Sequence, residues 1–264
     1  MTSSLHTNDG TPTTPGSRLI GRTAVVTGST SGIGEAIARL LAAEGAHVAV
    51  SGRQQASGER VVKAIRGAGG RADFVPADLG GSYEQLRAFV AQATDTLGGR
   101  VDILINNAGI YPATLTEDLP DTDLDAMLAV NIRAPHVLVG AMAPAMAARG
   151  SGTIGSWMAR RGTPYGAMYS ATKAADEQLT RSWAAEYGPR GVRVNTVAPG
   201  ATLTPGNEEA RTELDAMTAT TPAGVVVRPE DIAKGVLYLS SDDAAMVHGI
   251  TLYVDGGITA TRLG

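Results

Sequence analysis

The sequence contains no cysteine in its 264 residues. Disulfide bonds, thiol nucleophiles and cysteine-ligated metals are therefore excluded, and the chain is compatible with a reducing compartment. We accordingly expect a cytoplasmic protein. Histidine is scarce as well, and the four present, His6, His47, His136 and His248, lack the short spacings of metal ligands. We expect no metal site.

Positive charge is also in short supply. Lys and Arg number 22 against 26 Asp and Glu, so the formal net charge is −4, and no basic cluster is interleaved with the few aromatic side chains. Proteins that bind the phosphate backbone of nucleic acids normally carry a basic field. We also find no apolar run that suggests a bilayer span. We therefore expect neither a nucleic acid nor a membrane as partner.

The composition changes near residue 19. Residues 1–18 are rich in Thr, Ser, Pro and Gly and lack the apolar segment of a signal peptide, which predicts a disordered tail. The remaining chain, 19–264, shows no internal repeat and no linker, and a chain with 43% apolar residues can bury a substantial core. We predict one domain over 19–264.

Short β-branched segments alternate with alanine-rich segments of helical spacing. This alternation predicts an α/β fold, a single doubly wound Rossmann-type domain with a mainly seven-stranded parallel sheet and helices on both faces. Residues 202–227 interrupt the pattern with a short helix near 208–217, and we expect them to form a substrate lid. The predicted strands are 23–27, 47–51, 72–76, 101–105, 153–154, 192–197 and 250–254, and the predicted helices include 35–44, 83–97, 124–149 and 168–187.

A glycine-rich segment follows the first predicted strand and precedes an amphipathic helix. Gly28, Gly32 and Gly34 permit a tight turn, and the helix N-terminus presents free N–H groups to a pyrophosphate. A glycine-rich turn without a ligand is the alternative. At the next strand ends, Asp78 can accept from an adenine amino group, whereas the Asn106-Asn107 pair can equally bridge strands. The cofactor residues expected from this part of the chain are Gly28, Ser31, Gly32, Ile33, Gly34, Arg53, Asp78, Leu79, Asn107, Ala108 and Gly109.

The end of the second strand bears on which nicotinamide cofactor is preferred. Gly52 stands where a carboxylate would accept both ribose hydroxyls of NAD, and Arg53 follows it. A guanidinium matches the oxygens of a 2′-phosphate in a bidentate fork. A solvated surface arginine is the alternative. We therefore expect NADP(H) to be preferred over NAD(H).

Tyr169 and Lys173 lie four residues apart on a predicted helix, so their side chains project from one face. A free tyrosine has a pKa of about 10, and a nearby ammonium is expected to lower that pKa. Tyr169 would then serve as a general acid or base. On spacing alone, an ordinary solvated helix face is the alternative.

Taken together, these motifs resemble the classical short-chain dehydrogenase/reductase family, and within it the 3-oxoacyl-carrier-protein reductases. The resemblance runs from about Leu19 to the end of the sequence. It implies a nicotinamide-dependent oxidoreductase acting on a small-molecule carbonyl or alcohol, and a homotetramer. The residues that carry it are 27–34, Asp78, 106–109, Asn131, Ser156, 169–173, Pro199 and Gly200 followed by Thr204, and 255–257.

The resemblance also implies roles for individual residues. Ser156 would hydrogen-bond the substrate oxygen, Tyr169 would transfer the proton, Lys173 would hold the nicotinamide ribose, and Asn131 would anchor a water that links Lys173 to solvent. It adds to the cofactor site Tyr169, Lys173, Pro199, Gly200, Thr202 and Thr204. Candidates for the substrate pocket are Ile110, Tyr111, Trp157, Met158, Tyr165 and Leu203.

The fifth predicted strand departs from the family pattern. It is about three residues short, which removes roughly 10 Å of reach and reverses the pleat beyond the loss. We expect residues 150–152 to be drawn into the sheet, which would keep Ser156 near Tyr169. A retracted strand is the alternative, and with it a protein that binds the cofactor but has impaired or no catalysis. A pure scaffold that binds no nicotinamide is a third possibility, which a titration with NADPH would separate.

Overall fold

The computed structural model describes residues 16–157 and 165–261, with Ser156 and Trp157 described by their backbone alone. Within these residues seven strands form a fully parallel sheet in the order β3-β2-β1-β4-β5-β6-β7. This order confirms the predicted doubly wound fold. The strands are β1 Thr23–Val26, β2 His47–Gly52, β3 Arg71–Pro76, β4 Ile103–Asn106, β5 Gly152–Trp157, β6 Val192–Pro199 and β7 Thr251–Val254.

Helices cover both faces of the sheet. Apolar residues of α1, α2 and α8 form a core on one face, and those of α3, α5 and α6 form a core on the other. Successive residues of β1 point to opposite faces, so Ala24 and Val26 join the first core and Val25 joins the second. The helices are α1 Gly32–Ala43, α2 Gln55–Gly67, α3 Tyr83–Thr96, α4 Asp121–Leu128, α5 Ala134–Arg149, α6 Ala167–Tyr187, α7 Arg211–Thr218 and α8 Pro229–Ser240.

The helix predicted over 124–149 is interrupted by a π-helical turn, Ala129–Arg133, between α4 and α5. Pro135 follows this turn, and because proline has no N–H it removes one α-helical hydrogen bond there. The turn buries the side chain of Asn131 completely. The sequence reading therefore located the helix but not the local widening that turns Asn131 inward.

The same helical run, Asp121–Arg149, is 29 residues long and meets the length and hydropathy of a membrane-spanning helix. Our expectation that no segment reaches this level of apolarity is therefore wrong. Half of its most apolar window is buried inside the fold, where α5 packs on α3. This burial is typical of the core helix of a globular domain.

The structure shows at which end β5 is shorter than the family pattern. Gly150 ends α5 in the left-handed conformation, with φ of 71°, and the strand begins only at Gly152. A side chain on Gly191, at the start of β6, would collide with the carbonyl oxygen of Gly150. This close approach holds the connection at the base of the sheet. Of the residues 150–152 that we expected to be drawn into the sheet, Gly152 does join β5, where it pairs with Val192, whereas the expectation is wrong for 150 and 151.

The segment 202–227 leaves and rejoins the sheet edge at one place. Thr202 and Val227 form a parallel bridge, and the amide of Val227 donates to the carbonyl of Ala201 at 2.9 Å. The predicted short helix is α7, preceded by a single 3₁₀ turn, Glu208–Ala210. The segment is thus a closed excursion over the carboxyl edge of the sheet, and its role as a substrate lid stays a prediction.

Candidate functional site

A cavity of about 310 Å³ opens at the carboxyl ends of β1, β2, β3 and β4, where open α/β sheets bind their ligands. Eight of the predicted cofactor residues line it, namely Gly28, Ser31, Arg53, Asp78, Leu79, Asn107, Ala108 and Gly109. Gly52 and Thr30, which lie in the segments singled out above, line it as well, and so does Ile110, which we expected in the substrate pocket; sequence reasoning missed Ser51, Ala77 and Val130. These three carry no pattern of their own and were therefore not recognisable from the sequence.

The glycine-rich turn is packed so tightly that side chains are excluded. A Cβ on Gly28 would lie 2.9 Å from the Cα of Ala108, and one on Gly34 would collide with the Gly28 carbonyl and the Asn107 side chain. The Asn107 amide donates to the carbonyls of Thr27 and Gly28 at 2.9 and 3.1 Å. Of the two roles considered for the asparagine pair, bridging strands or binding the cofactor, the side chain of Asn107 thus has the bridging role.

The N-terminus of α1 offers backbone donors to the cavity. Ser31 is its N-cap residue, and its side chain makes no capping hydrogen bond. The N–H groups of the first turn therefore remain for an anion, and they carry the positive end of the helix dipole. Together with the turn that excludes side chains, these donors fit the pyrophosphate of a dinucleotide.

Arg53 is exposed at the cavity wall, and no ion pair or hydrogen bond of its side chain occurs in the described part of the chain. The neighbouring Arg60 is engaged differently, because its guanidinium binds Glu35 at 2.5 Å and the Thr30 carbonyl at 3.0 Å. These contacts raise the pKa of Arg60. Burial alone would raise the pKa of Glu35, but the hydrogen bonds and charges of Arg60 and Arg39 outweigh burial, and the pKa of Glu35 is lowered. Arg53 is thus the arginine left for a ligand at this wall.

Thr204, a predicted cofactor residue of the segment 202–227, lies next to the glycine-rich turn. The Thr204 side chain lies over Gly32, 3.5 Å from the position of a Cβ there. Asn207 holds this segment together: its Oδ1 accepts from the Thr204 amide at 2.7 Å, and its Nδ2 donates to the Thr202 carbonyl at 3.0 Å. Sequence reasoning missed Asn207, since an asparagine in a loop carries no distinctive signal.

The Pro-Gly and Asp-Gly-Gly motifs meet each other at the end of the sheet. Gly200 lies against the backbone of Asp255, so that a Cβ on Gly200 would come within 2.6 Å of the Asp255 Cα. The Asp255 carboxylate accepts from the amides of Gly257 and Thr259 at 2.9 and 3.1 Å. In the described residues Gly200 therefore has a packing role at the end of β6, next to Pro199.

Asn131 uses its side chain to tie three segments together. Its Oδ1 accepts from the Ile110 amide at 2.9 Å, and its Nδ2 donates to the Ile110 carbonyl at 3.0 Å and to the Thr172 hydroxyl at 3.2 Å. Thr172 in turn donates to the Tyr169 carbonyl at 2.7 Å. Asn131 thereby positions the loop after β4 against the first turns of α6. Its implied role in holding a water stays a prediction.

Tyr169 and Lys173 share one face of α6, as predicted. The Lys173 Nζ lies 5.9 Å from the centroid of the Tyr169 ring, and the ring of Tyr111 lies 4.6 Å from that of Tyr169. Lys173 is almost fully buried and forms an ion pair at 2.9 Å with Asp176, which is equally buried. Asp176 and the contact with Tyr111 were missed by sequence reasoning.

The expected lowering of the Tyr169 pKa is wrong for this structure. Burial raises the pKa of Tyr169, and the charges of Asp176 and Tyr111 raise it further. The Asp176 carboxylate, at 2.9 Å from the Lys173 ammonium, opposes the positive charge that Lys173 brings to the site. Tyr169 is therefore protonated through the neutral pH range, the form that donates a proton.

The backbone does not bring Ser156 to Tyr169. Ser156 pairs with Asn106 of β4 and with Thr196 of β6, three residues before the end of β6. The Thr196 hydroxyl contacts that of Thr180 on α6 at 2.7 Å. Tyr169 lies three turns nearer the N-terminus of α6, about 16 Å along the helix axis at 1.5 Å per residue. The register of β5 agrees with the retracted arrangement, and the role of Ser156 toward the substrate oxygen stays a prediction.

The remaining candidates divide between described and undescribed positions. Tyr111 contacts Tyr169, and Ile110 lines the cofactor cavity. Tyr165 is exposed. The Trp157 side chain and Met158 lie outside the described residues. A second, smaller cavity adjoins Tyr169 and is lined mainly by apolar residues, which include Pro112, Leu115, Leu119, Met127 and Met168.

Comparisons with known proteins agree with this geometry. A family model described as enoyl-(acyl carrier protein) reductase matches residues 28–259. The chain is 39% identical over 255 residues to 3beta-hydroxysteroid dehydrogenase 1 of Eggerthella lenta, covering 91% of this chain and 95% of that protein.

Solved structures give the same result. A short chain dehydrogenase/reductase family protein matches with a TM-score of 0.84 and 46% identity over 92% of this chain and all of the other. A 3-oxoacyl (acyl-carrier-protein) reductase from Agrobacterium tumefaciens C58 with NADP bound matches with a TM-score of 0.87 and 32% identity, over 96% of this chain and all of the other. The chain thus belongs to the classical short-chain dehydrogenase/reductase family and is a nicotinamide-dependent oxidoreductase of carbonyl or alcohol substrates.

Proposed function

We propose that this protein is an NADP(H)-preferring reductase of ketones, of the 3-oxoacyl type or a related one, and that Tyr169 is its general acid. The observation that carries the cofactor preference is the guanidinium of Arg53 at the cavity wall, which has no partner among the described residues and stands beside Gly52, a residue without a carboxylate for a ribose. The NADP named for the Agrobacterium tumefaciens structure supports the same preference.

The chain's own residues divide the work of such a reaction. The glycine turn and the N–H groups of α1 hold the pyrophosphate, and Arg53 holds the 2′-phosphate. The bound cofactor supplies the hydride that goes to the carbonyl carbon. Tyr169 donates its phenolic proton to the carbonyl oxygen, and its raised pKa keeps that proton available at neutral pH. Lys173, whose Nζ lies 5.9 Å from the centroid of the Tyr169 ring, would hold the nicotinamide ribose when the cofactor is bound.

The small cavity beside Tyr169 indicates the kind of substrate. It encloses only about 20 Å³, room for about one water-sized group, and its apolar lining favours a small hydrocarbon substituent at that place, because burying such a group removes apolar surface from water. Thr114 also lines it, with a buried hydroxyl that has no hydrogen-bond partner in the described residues. A polar atom on the substrate near this hydroxyl would satisfy it.

Arg53→Ala tests the cofactor preference. We expect NADPH affinity to fall by roughly 10- to 100-fold, because a hydrogen bond to a charged group is worth about 1.5–3 kcal/mol, and NADH affinity to stay unchanged. Fluorescence titration with both cofactors measures this. Arg66→Ala is the matched control, since Arg66 pairs with Asp73 away from the cavity. An equal loss for both cofactors would refute the assignment of Arg53 to the 2′-phosphate.

We further propose a homotetramer working in the cytoplasm. The family resemblance supports the assembly, and the long helices α5 and α6 are the elements that we expect to pair across twofold axes. Sedimentation velocity at micromolar protein concentration tests it. We expect a species of four chains, and a monomer would contradict the proposal.

A further inference from the structure

We propose that Asp176 is a positioning residue for Lys173. Its carboxylate holds the Lys173 ammonium in place on α6 and opposes the electric field of that ammonium at the Tyr169 hydroxyl. The inference rests on the proposed function, because it concerns how the Tyr169 and Lys173 pair is set. It adds a third member to that pair.

The three residues occupy one line along the helix. Tyr169, Lys173 and Asp176 stand at positions i, i+4 and i+7 of α6, which share a face. The carboxylate Oδ2 of Asp176 lies 2.9 Å from the Lys173 Nζ, and each side chain is only 2% exposed. Asp176 thus lies behind Lys173 as viewed from Tyr169. In enzymes that use an acid or base, a third group commonly orients the second in this way.

Stability alone does not account for this pair. A buried ion pair must offset the free-energy cost of removing two charges from water. Apolar residues of similar size at the same buried positions generally give a protein equal or greater stability. Burial raises the pKa of the Asp176 carboxyl, and the charge and hydrogen bond of Lys173 lower it in part. A buried ion pair whose ammonium lies 5.9 Å from the ring of a reacting tyrosine is instead typical of a functional site.

The surroundings show that the field at Tyr169 is set locally. In the described part of the chain, the titratable groups that act on Tyr169 and Asp176 are these two residues, Lys173 and Tyr111. Asn131 and Thr172, on the π-helical turn and on α6, are uncharged. The neighbouring α4 adds the carboxylates of residues 121, 123 and 125, of which the first and last are exposed. Asp176 is therefore the buried charge that opposes Lys173.

The functional consequence concerns the two directions of the reaction. Reduction needs protonated Tyr169, which donates its proton to the substrate oxygen, and oxidation needs the phenolate, which accepts a proton from the alcohol. The charge of Asp176 helps to raise the pKa of Tyr169 and so favours the protonated form. Asp176 therefore keeps Tyr169 ready for reduction at neutral pH and moves alcohol oxidation to alkaline pH.

Asp176→Asn tests this proposal with two readouts. The first is the ultraviolet titration of tyrosinate, with the Tyr169→Phe variant of the same background subtracted, which requires no turnover. The second is the pH profile of alcohol oxidation with NADP. We expect the Tyr169 titration to move to lower pH and oxidation below the pKa to accelerate about tenfold, the change that corresponds to one pH unit. Asp176→Glu, which keeps the charge, is expected to restore the profile.

Glu177→Gln is the matched control, because it removes a neighbouring carboxylate of α6 that pairs with Arg181 and not with Lys173. It is expected to leave the Tyr169 titration unchanged. Asp176→Ser provides a second neutral variant in case the asparagine variant does not fold. If the neutral variants titrate like wild type, or no differently from Glu177→Gln, the proposal is overturned. A protein that shows the tyrosinate shift but no turnover would overturn the proposed function and leave the role of Asp176 standing.

Discussion

The Tyr169→Phe variant is expected to lose about 10²- to 10⁴-fold in kcat for carbonyl reduction, the usual contribution of a general acid. Its affinity for NADPH should be unchanged, since the ring stays and only the hydroxyl is lost. Stopped-flow or steady-state NADPH consumption together with a fluorescence titration separates the two effects. A variant that binds cofactor and turns over like wild type would remove Tyr169 from the mechanism.

Tyr111→Phe is the control that the structure offers for this experiment. The ring of Tyr111 packs against that of Tyr169 at an interplanar angle of 49°, with centroids 4.6 Å apart, so its replacement by Phe removes a phenolic hydroxyl from the same site and keeps the packing. We expect only a minor change in kcat. If both variants lost the same activity, the effect would belong to the polarity of the site and not to proton transfer by Tyr169.

Lengthening β5 is the second change for which we expect a large effect. Inserting Val-Asn-Ile after Ile154 would advance Ser156 by three residues, roughly 10 Å, toward the carboxyl edge and toward Tyr169. A hydrogen-bond donor on a reacting oxygen contributes about 10²–10³-fold in kcat, so we expect turnover to rise by up to about 10²-fold. The added apolar residues in a buried parallel strand should also raise Tm.

Serine substitutions make the insertion experiment specific. Ser156→Ala in the unmodified chain is expected to change kcat little, because the backbone of Ser156 is level with Thr180 and not with Tyr169. In the lengthened chain the same substitution should abolish the gain. A fall of both turnover and Tm on insertion would show that the protein is adapted to its short strand and that another group contacts the substrate oxygen.

The parts of the fold that sequence reading predicted are those specified by local pattern. Buried β-branched runs and the glycine turn at Gly28, Gly32 and Gly34 depend on neighbours within a few residues, and the cofactor cavity follows from where parallel strands end. The alternation of strand and helix was enough to place the site at one edge of the sheet.

The parts that could not be predicted depend on contacts between distant segments. The shortage in β5 was visible, but only the contact of Gly150 with Gly191 determines that the strand is short at its reacting end. The i+7 spacing of Asp176 from Tyr169 was readable, but a charged helix residue is usually solvated, and nothing local shows that this face of α6 is buried. The predicted direction of the shift in the Tyr169 pKa was wrong for that reason.

The most direct test of the whole account is the consumption of NADPH by the purified protein across a panel of ketones of increasing apolar size, with NADH run in parallel. The account predicts turnover of at least one ketone, faster with NADPH than with NADH at equal concentration, and lost in Tyr169→Phe. Binding of NADPH without consumption of any ketone, and without reduction of NADP by the corresponding alcohols, would contradict it.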